Sequence, residues 1–265
     1  MHNKQKVTER KANMSQNVLV VHGGGPTAVI NASLYGVIEE AKRNPEIGKV
    51  YGAIGGTGAI FSETFIDLTS FDDEKLKLLL HTPASAIGSS RYPLYEKDYE
   101  KMVDIFKKHD IKYVLLNGGN GTMDACGHIY EVCKDLDIKV VGIPKTIDND
   151  IAMTDHSPGY GSAARFIAAS TQEVGEDVKS LPIHVCIMEA MGRNAGWITA
   201  ASALARRKQG DAPHLIYLPE RNFNEDEFLE DVSRLQKKQG GVVVLVSEGL
   251  HDENGESIVP PIFKS

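Results

Sequence analysis

Twice in this 265-residue chain a short apolar run breaks into glycines and is followed by apolar residues at helical spacing. Asn17-Val18-Leu19-Val20-Val21-His22 ends in Gly23-Gly24-Gly25-Pro26-Thr27, after which Ile30, Leu34, Val37, Ile38 and Ala41 recur with the period of a helix. Tyr113-Val114-Leu115-Leu116 runs into Asn117-Gly118-Gly119-Asn120-Gly121-Thr122-Met123-Asp124, and Ile129, Val132 and Cys133 follow. Each is a strand, a glycine-rich turn and a helix. Such units repeat only in an α/β fold, with mostly parallel sheets and helices on both faces.

The rest of the chain keeps this alternation. Lys49–Ile54 is a predicted strand, Asp73–Leu80 a short helix, and Tyr99, Met102, Val103 and Phe106 mark an amphipathic helix. Lys139–Ile143 reads as a buried parallel strand, and Ser157-Pro158-Gly159-Tyr160-Gly161 opens a helix carrying Phe166, Ile167 and Val174. His184–Glu189 is a further buried strand, with His184 as a hydrogen-bonded structural histidine, and its end leads into Met191-Gly192-Arg193. Leu215–Leu218 is a strand, Glu225–Gln239 a helix with Phe228, Leu229, Val232 and Leu235 on one side, and Gly241–Gly249 a strand ending in a carboxylate. The expected organisation is a leader over 1–16, a donor-binding lobe over 17–155 and a sugar-phosphate lobe over 156–265, incomplete at its C-terminus. Trp197, the only tryptophan, is expected in a core or an interface.

Composition narrows the partners. A net charge of −7 disfavours nucleic acid and membrane surfaces. Cys126, Cys133 and Cys186 form no CxxC pair, so neither a disulfide framework nor a zinc site is indicated; Cys126 and Cys133, seven apart, share a buried helix face. The N-terminus has no apolar signal region, no run reaches transmembrane length, and the expected location is the cytoplasm.

Ligands of open α/β sheets sit at the carboxyl ends of the strands. There the chain places Pro144-Lys145-Thr146-Ile147-Asp148-Asn149-Asp150, with two carboxylates, an amide, a hydroxyl and an ammonium. Phosphoryl transfer to a hydroxyl uses such a set: a carboxylate takes the proton, while amides and cations spread charge on the donor phosphates. Asp148 or Asp150 suits the base and Lys145 the cation. The glycine turns offer backbone N–H groups; Arg193 and Arg91 suit phosphates on acceptor and donor, because guanidinium forks match phosphate oxygens. The first turn, Gly23–Thr27, is neither GxGxxG nor GxxxxGK[ST], so dinucleotide and P-loop assignments fail there.

Gly24-Gly25-Pro26-Thr27, Gly118-Gly119-Asn120-Gly121-Thr122, Pro144–Asp150, Met191-Gly192-Arg193 and Ser247-Glu248-Gly249 occur in the order and approximate spacing of the phosphofructokinase family, which the chain resembles over nearly its whole length. The resemblance implies a two-lobed architecture, a homo-oligomer, and transfer of phosphate to the 1-hydroxyl of fructose 6-phosphate with Mg²⁺. It implies Asp148 as the base, with Lys145 and Gly121 also at the catalytic centre, and Asp150 supporting the metal and the transition-state charge. Thr146, Met191, Gly192, Arg193 and Glu248 would hold the sugar phosphate. Gly25, Arg91, Gly119, Asn120, Gly121 and Thr122 would line the donor site, with Asn120 and Asp150 on the metal side.

Three departures from the family pattern bear on these expectations. Asn120 stands where the GGDG motif has its metal-binding aspartate. His184 stands where many members place a substrate-binding arginine donated across a subunit interface. The chain stops at Ser265, before the family's further contacts to the 6-phosphate, so weak or no turnover is expected of these residues alone. Pyrophosphate users of the family resemble one another in an aspartate at the position of Gly121 and a lysine at that of Lys145. With the glycine kept, ATP is the favoured donor and pyrophosphate the alternative. A silent regulatory subunit is the reading from another class, and retention of Asp148, Asp150, Lys145 and Arg193 argues against it. Diacylglycerol and NAD kinases share GGDGT-like turns but lack the other motifs.

Overall fold

A computed structural model describes residues 16–258. All but one residue of the expected leader therefore lies outside the described residues. The chain divides into two compact units, Met1–Thr146 and Ile147–Ser265, so the division falls inside the Pro144–Asp150 stretch.

The first unit is built on a five-stranded sheet. Its strands are β1 (Gln16–His22), β2 (Ile47–Ala53), β3 (Phe65–Asp67), β4 (Ile111–Gly118) and β5 (Lys139–Pro144), in spatial order β3-β2-β1-β4-β5. All neighbours run parallel except β3, which pairs antiparallel with β2. Alternation along β1 divides the core between the two faces. Leu19 and Val21 join the cluster of Met102, Phe106 and Ile129, supplied by α4 (Glu96–Lys108) and α5 (Asn120–Cys133). Val18 and Val20 join the cluster of Leu34 and Ile38 from α1 (Ile30–Arg43). Two further helices, α2 (Gly58–Phe61) and α3 (Asp73–Lys77), complete the unit. Cys126 and Cys133 are both buried, as their spacing predicts.

The second unit holds a three-stranded parallel sheet of β6 (Val185–Ala190), β7 (Leu215–Tyr217) and β8 (Val242–Ser247), in order β6-β8-β7. Central β8 contributes fully buried Val243 and Leu245 to a core with Ile167 and Val178 of α6 (Tyr160–Ser180) and with Ile198 and Ala201 of α7 (Trp197–Ala201). Helix α8 (Glu225–Gln239) begins at Asn224, whose side chain accepts from the Glu227 N–H, and stops at Gly240 with φ of 86°.

Several burial expectations are corrected. β5 and β6 are edge strands, so Val141 and Ile187 are half-exposed rather than buried. His184 precedes β6, and among the described residues its exposed side chain has no hydrogen-bond partner. Phe166 lies on the outer side of α6 and Leu229 on that of α8. Of the two places expected for Trp197, the core is ruled out: the ring is half-exposed and edge-on to Tyr160 at 6.5 Å between centroids. Asp73–Leu80 is α-helical only to Lys77 and tightens into a 3₁₀ turn over Leu78–His81.

Candidate functional site

The polar residues singled out in the sequence fall into two groups, one in each unit, and in each unit the glycine turns lie at the carboxyl ends of parallel strands. In the first unit, β1 and β4 are parallel neighbours with His22 opposite Asn117, so their glycine turns leave the sheet side by side. The Gly23 N–H donates to the Asn117 carbonyl at 3.0 Å. Gly24 takes φ of 72°, a conformation open to glycine and strained for other residues. Its N–H donates to the Ser90 carbonyl at 3.0 Å, and its carbonyl accepts from Ser89 Oγ at 2.6 Å. The loop before Arg91 is thereby clamped to the first turn. Arg91 itself is exposed and joins no ion pair among the described residues.

Lys145 follows β5, the next strand over, and is only 2 % exposed. Its N–H donates to the Gly118 carbonyl at 2.9 Å, and its Nζ donates to the Gly25 carbonyl at 2.6 Å. One residue thus ties the second glycine turn to the first and delivers a cation between them. Thr146 is buried beside it. Helix α5 starts at Asn120, so Asn120 and Gly121 lie in its first turn, where free N–H groups favour anions. Both are exposed. A Cβ at Gly121 would meet nothing within 4 Å, and the same holds at Gly25. Gly119 and Thr122 complete the turn, the Thr122 N–H donating to the Gly119 carbonyl at 2.9 Å.

Thr122 has a role that sequence reasoning missed. Its side chain fills the notch left by two missing Cβ atoms: a methyl at Gly23 or at Gly118 would overlap Thr122 Oγ1. The pairing of small residues on adjacent strand ends was the available signal.

In the second unit, β6 and β8 are parallel with Ala190 opposite Ser247, so Met191-Gly192-Arg193 and Glu248-Gly249 leave neighbouring strand ends. Gly192 and Arg193 both have positive φ, 140° and 50°, and turn their N–H groups toward one carboxylate oxygen. Glu248 Oε1 accepts from Gly192 at 3.0 Å and from Arg193 at 2.9 Å. A carboxylate in such a nest of amides fixes the turn. At Gly249 a Cβ would overlap the Arg193 carbonyl oxygen. Met191 and Arg193 remain exposed, and Arg193 joins no ion pair among the described residues.

The second unit also holds Asp148, half-buried, and Asp150, exposed. Asn149 between them is buried with φ of 58°, a left-handed conformation that asparagine tolerates. Its Oδ1 accepts from the Ser157 N–H at 2.7 Å and so closes the 149–157 loop. Sequence reading gave Asn149 no separate task. Among the described residues no three carboxylates, histidines or cysteines cluster to hold a metal. A magnesium ion that arrives on phosphates needs only one or two carboxylates; Asp150 in the second unit is exposed and could be one, and Asn120 in the first unit is exposed but offers a neutral amide. No helix among the described residues is long and apolar enough to cross a membrane.

The Phosphofructokinase family model matches residues 17–264. A protein of Rhodospirillum rubrum named pyrophosphate–fructose 6-phosphate 1-phosphotransferase is 43% identical over 91% of this chain and 60% of its own length. An ATP-dependent 6-phosphofructokinase of Amycolatopsis methanolica is 30% identical over 87% of this chain and 50% of its own. The crystal structure of a pyrophosphate-dependent phosphofructokinase from Nitrosospira multiformis superposes with a TM-score of 0.84 at 39% identity, over 91% of this chain and 62% of that one. The chain spans about 60% of the length of the pyrophosphate-named curated relatives.

Proposed function

Because the chain belongs to the phosphofructokinase family, we propose that it carries reacting residues of an enzyme moving a phosphoryl group from pyrophosphate to the 1-hydroxyl of fructose 6-phosphate. The observation that carries this reading is the meeting of the buried Lys145 ammonium with two glycine turns in the first unit. Backbone amides and a cation together suit a polyphosphate, whose charge they spread as the bond to the leaving phosphate breaks.

In the proposed reaction the first unit is the donor half-site, lined by Gly25, Arg91, Gly119, Asn120, Gly121 and Thr122. Asp148 takes the proton from the attacking hydroxyl. Thr146, Met191, Gly192, Arg193 and Glu248 hold the sugar phosphate. Glu248 does so with its second oxygen, since Oε1 serves the turn. Magnesium, when bound, neutralises charge on the donor oxygens, and Asp150 and Asn120 are the side chains that would meet it.

Pyrophosphate replaces ATP as the favoured donor. The relative at 43% identity carries pyrophosphate in its name, while the ATP-named one stands at 30%. One observation favours ATP as the second reading: open space at Gly121, where no carboxylate repels an α-phosphate. Parallel assays with fructose 6-phosphate and either donor test the choice. Whatever turnover these residues support, weak as it is expected to be, should be higher with magnesium pyrophosphate than with MgATP, and turnover with ATP alone overturns the choice. Asp148→Ala should lower the rate by about 10²–10⁴ while donor binding persists, as general-base removal does and as a silent binding subunit would not show.

A further inference from the structure

His22 ends β1 directly before the first glycine turn and is fully buried, yet neither the motifs nor the proposed chemistry uses it. Its Nδ1 lies 2.7 Å from Ser85 Oγ. Ser85 Oγ in turn donates its only proton to the Gly88 carbonyl, at 2.7 Å. The hydroxyl can therefore only accept from the imidazole, so Nδ1 carries the hydrogen and Nε2 keeps its lone pair. That lone pair is buried and without a hydrogen-bond partner among the described residues. Leaving an acceptor so placed is unfavourable, and a plain apolar residue would avoid it.

The relay leads to the donor half-site. Gly88, at φ of 72°, starts the segment whose next residues, Ser89 and Ser90, clamp Gly24 and whose following residue is Arg91. Asn31 anchors the preceding stretch, donating to the Thr82 and Ala84 carbonyls and accepting from the Ala86 N–H. His22 is the interior anchor nearer the clamp. Burial, and secondarily the Lys145 charge, pull its pKa down to about 4, so the imidazole is neutral and the relay keeps its direction near neutral pH.

We propose that His22 is a positioning residue of the donor half-site, acting through Ser85 and the Gly88 carbonyl to place Ser89, Ser90 and Arg91 beside the glycine turn. The nature of the ligand rests on the function proposed above; the positioning itself does not. An asparagine amide reaches the place of Nδ1, a glutamine amide that of Nε2, and leucine fills the volume with neither. This separates hydrogen bonding from packing.

The test is calorimetric titration of the 265-residue chain with magnesium pyrophosphate, and separately with MgATP, alongside hydrogen–deuterium exchange over residues 85–91. His22→Leu, His22→Gln and Ser85→Ala should each weaken donor binding about tenfold, the scale of one lost hydrogen bond, and raise exchange in that segment. His22→Asn should restore both, and His22→Leu combined with Ser85→Ala should be no worse than either alone. The idea is overturned if leucine serves as well as asparagine, if both fail equally, or if Ser85→Ala changes neither readout. Should the wild-type chain bind neither donor while exchange still follows the asparagine, leucine and Ser85 order, the positioning role stands and the donor assignment falls.

Discussion

Thr122 lies over two glycines from different strands, and the distances separate their tolerance to substitution. A methyl at Gly23 would overlap Thr122 Oγ1 and sit 3.0 Å from Cγ2, but 3.2 Å from Cβ. At Gly118 it would overlap Oγ1 and Cβ, with Cγ2 at 2.6 Å. Either substitution overpacks the turn, which costs about 1–3 kcal/mol. Thr122→Ala removes Oγ1 and Cγ2 but keeps Cβ. It should therefore rescue Gly23→Ala, with a coupling of about 1–3 kcal/mol in a double-mutant cycle, and leave Gly118→Ala nearly unrescued. Urea unfolding followed by circular dichroism is the assay, because the only tryptophan belongs to the second unit. Equal rescue of both glycines, or of neither, would refute the placement of Thr122 as a wedge between the strand ends.

Three more outcomes are expected. His22 has a folded pKa near 4 against an ordinary 6.5, so the unfolded chain binds its proton first. Its contribution is complete above pH 6.5 and is lost as pH falls toward 4, by about 3 kcal/mol; His22→Asn should flatten that part of the stability profile. Gly249→Ala should disrupt the second unit, seen as an altered Trp197 emission, while Gly121→Ala, with open space around it, should leave unfolding midpoints unchanged. Asn149→Ala loses the bond to Ser157 and keeps a strained backbone, destabilising by about 1–2 kcal/mol, and Asn149→Gly should cost less in thermal melts.

What could be read from sequence follows the strength of local signals. Helix Glu225–Gln239 is matched to the residue, because a capping asparagine, an acidic first turn and a terminal glycine bracket it. Strands β1, β4 and β8 were legible as unbroken apolar runs. Antiparallel β3, three residues long, carries too little pattern to be seen. Burial on β5 and β6 was overread, since an apolar run does not say whether a strand is central or at an edge. The motifs singled out turns that the structure places at strand ends, but the hydrogen bonds that hold those turns were invisible. Glu248 gives one oxygen to backbone amides, and His22 reaches the clamp through a serine 63 positions away; neither has a local periodicity.

The chain passes from one unit to the other between Thr146 and Ile147, inside a single run of polar residues. Loops that merely connect units tolerate changes of length well. This one has no slack of that kind: Lys145 is fixed by its N–H and its ammonium on one side, and Asn149 by its amide on the other. Inserting or deleting a residue here would shift anchored groups in one unit or the other. Natural length variation should accordingly be absent from Pro144–Asp150 and should collect in exposed segments such as 253–256.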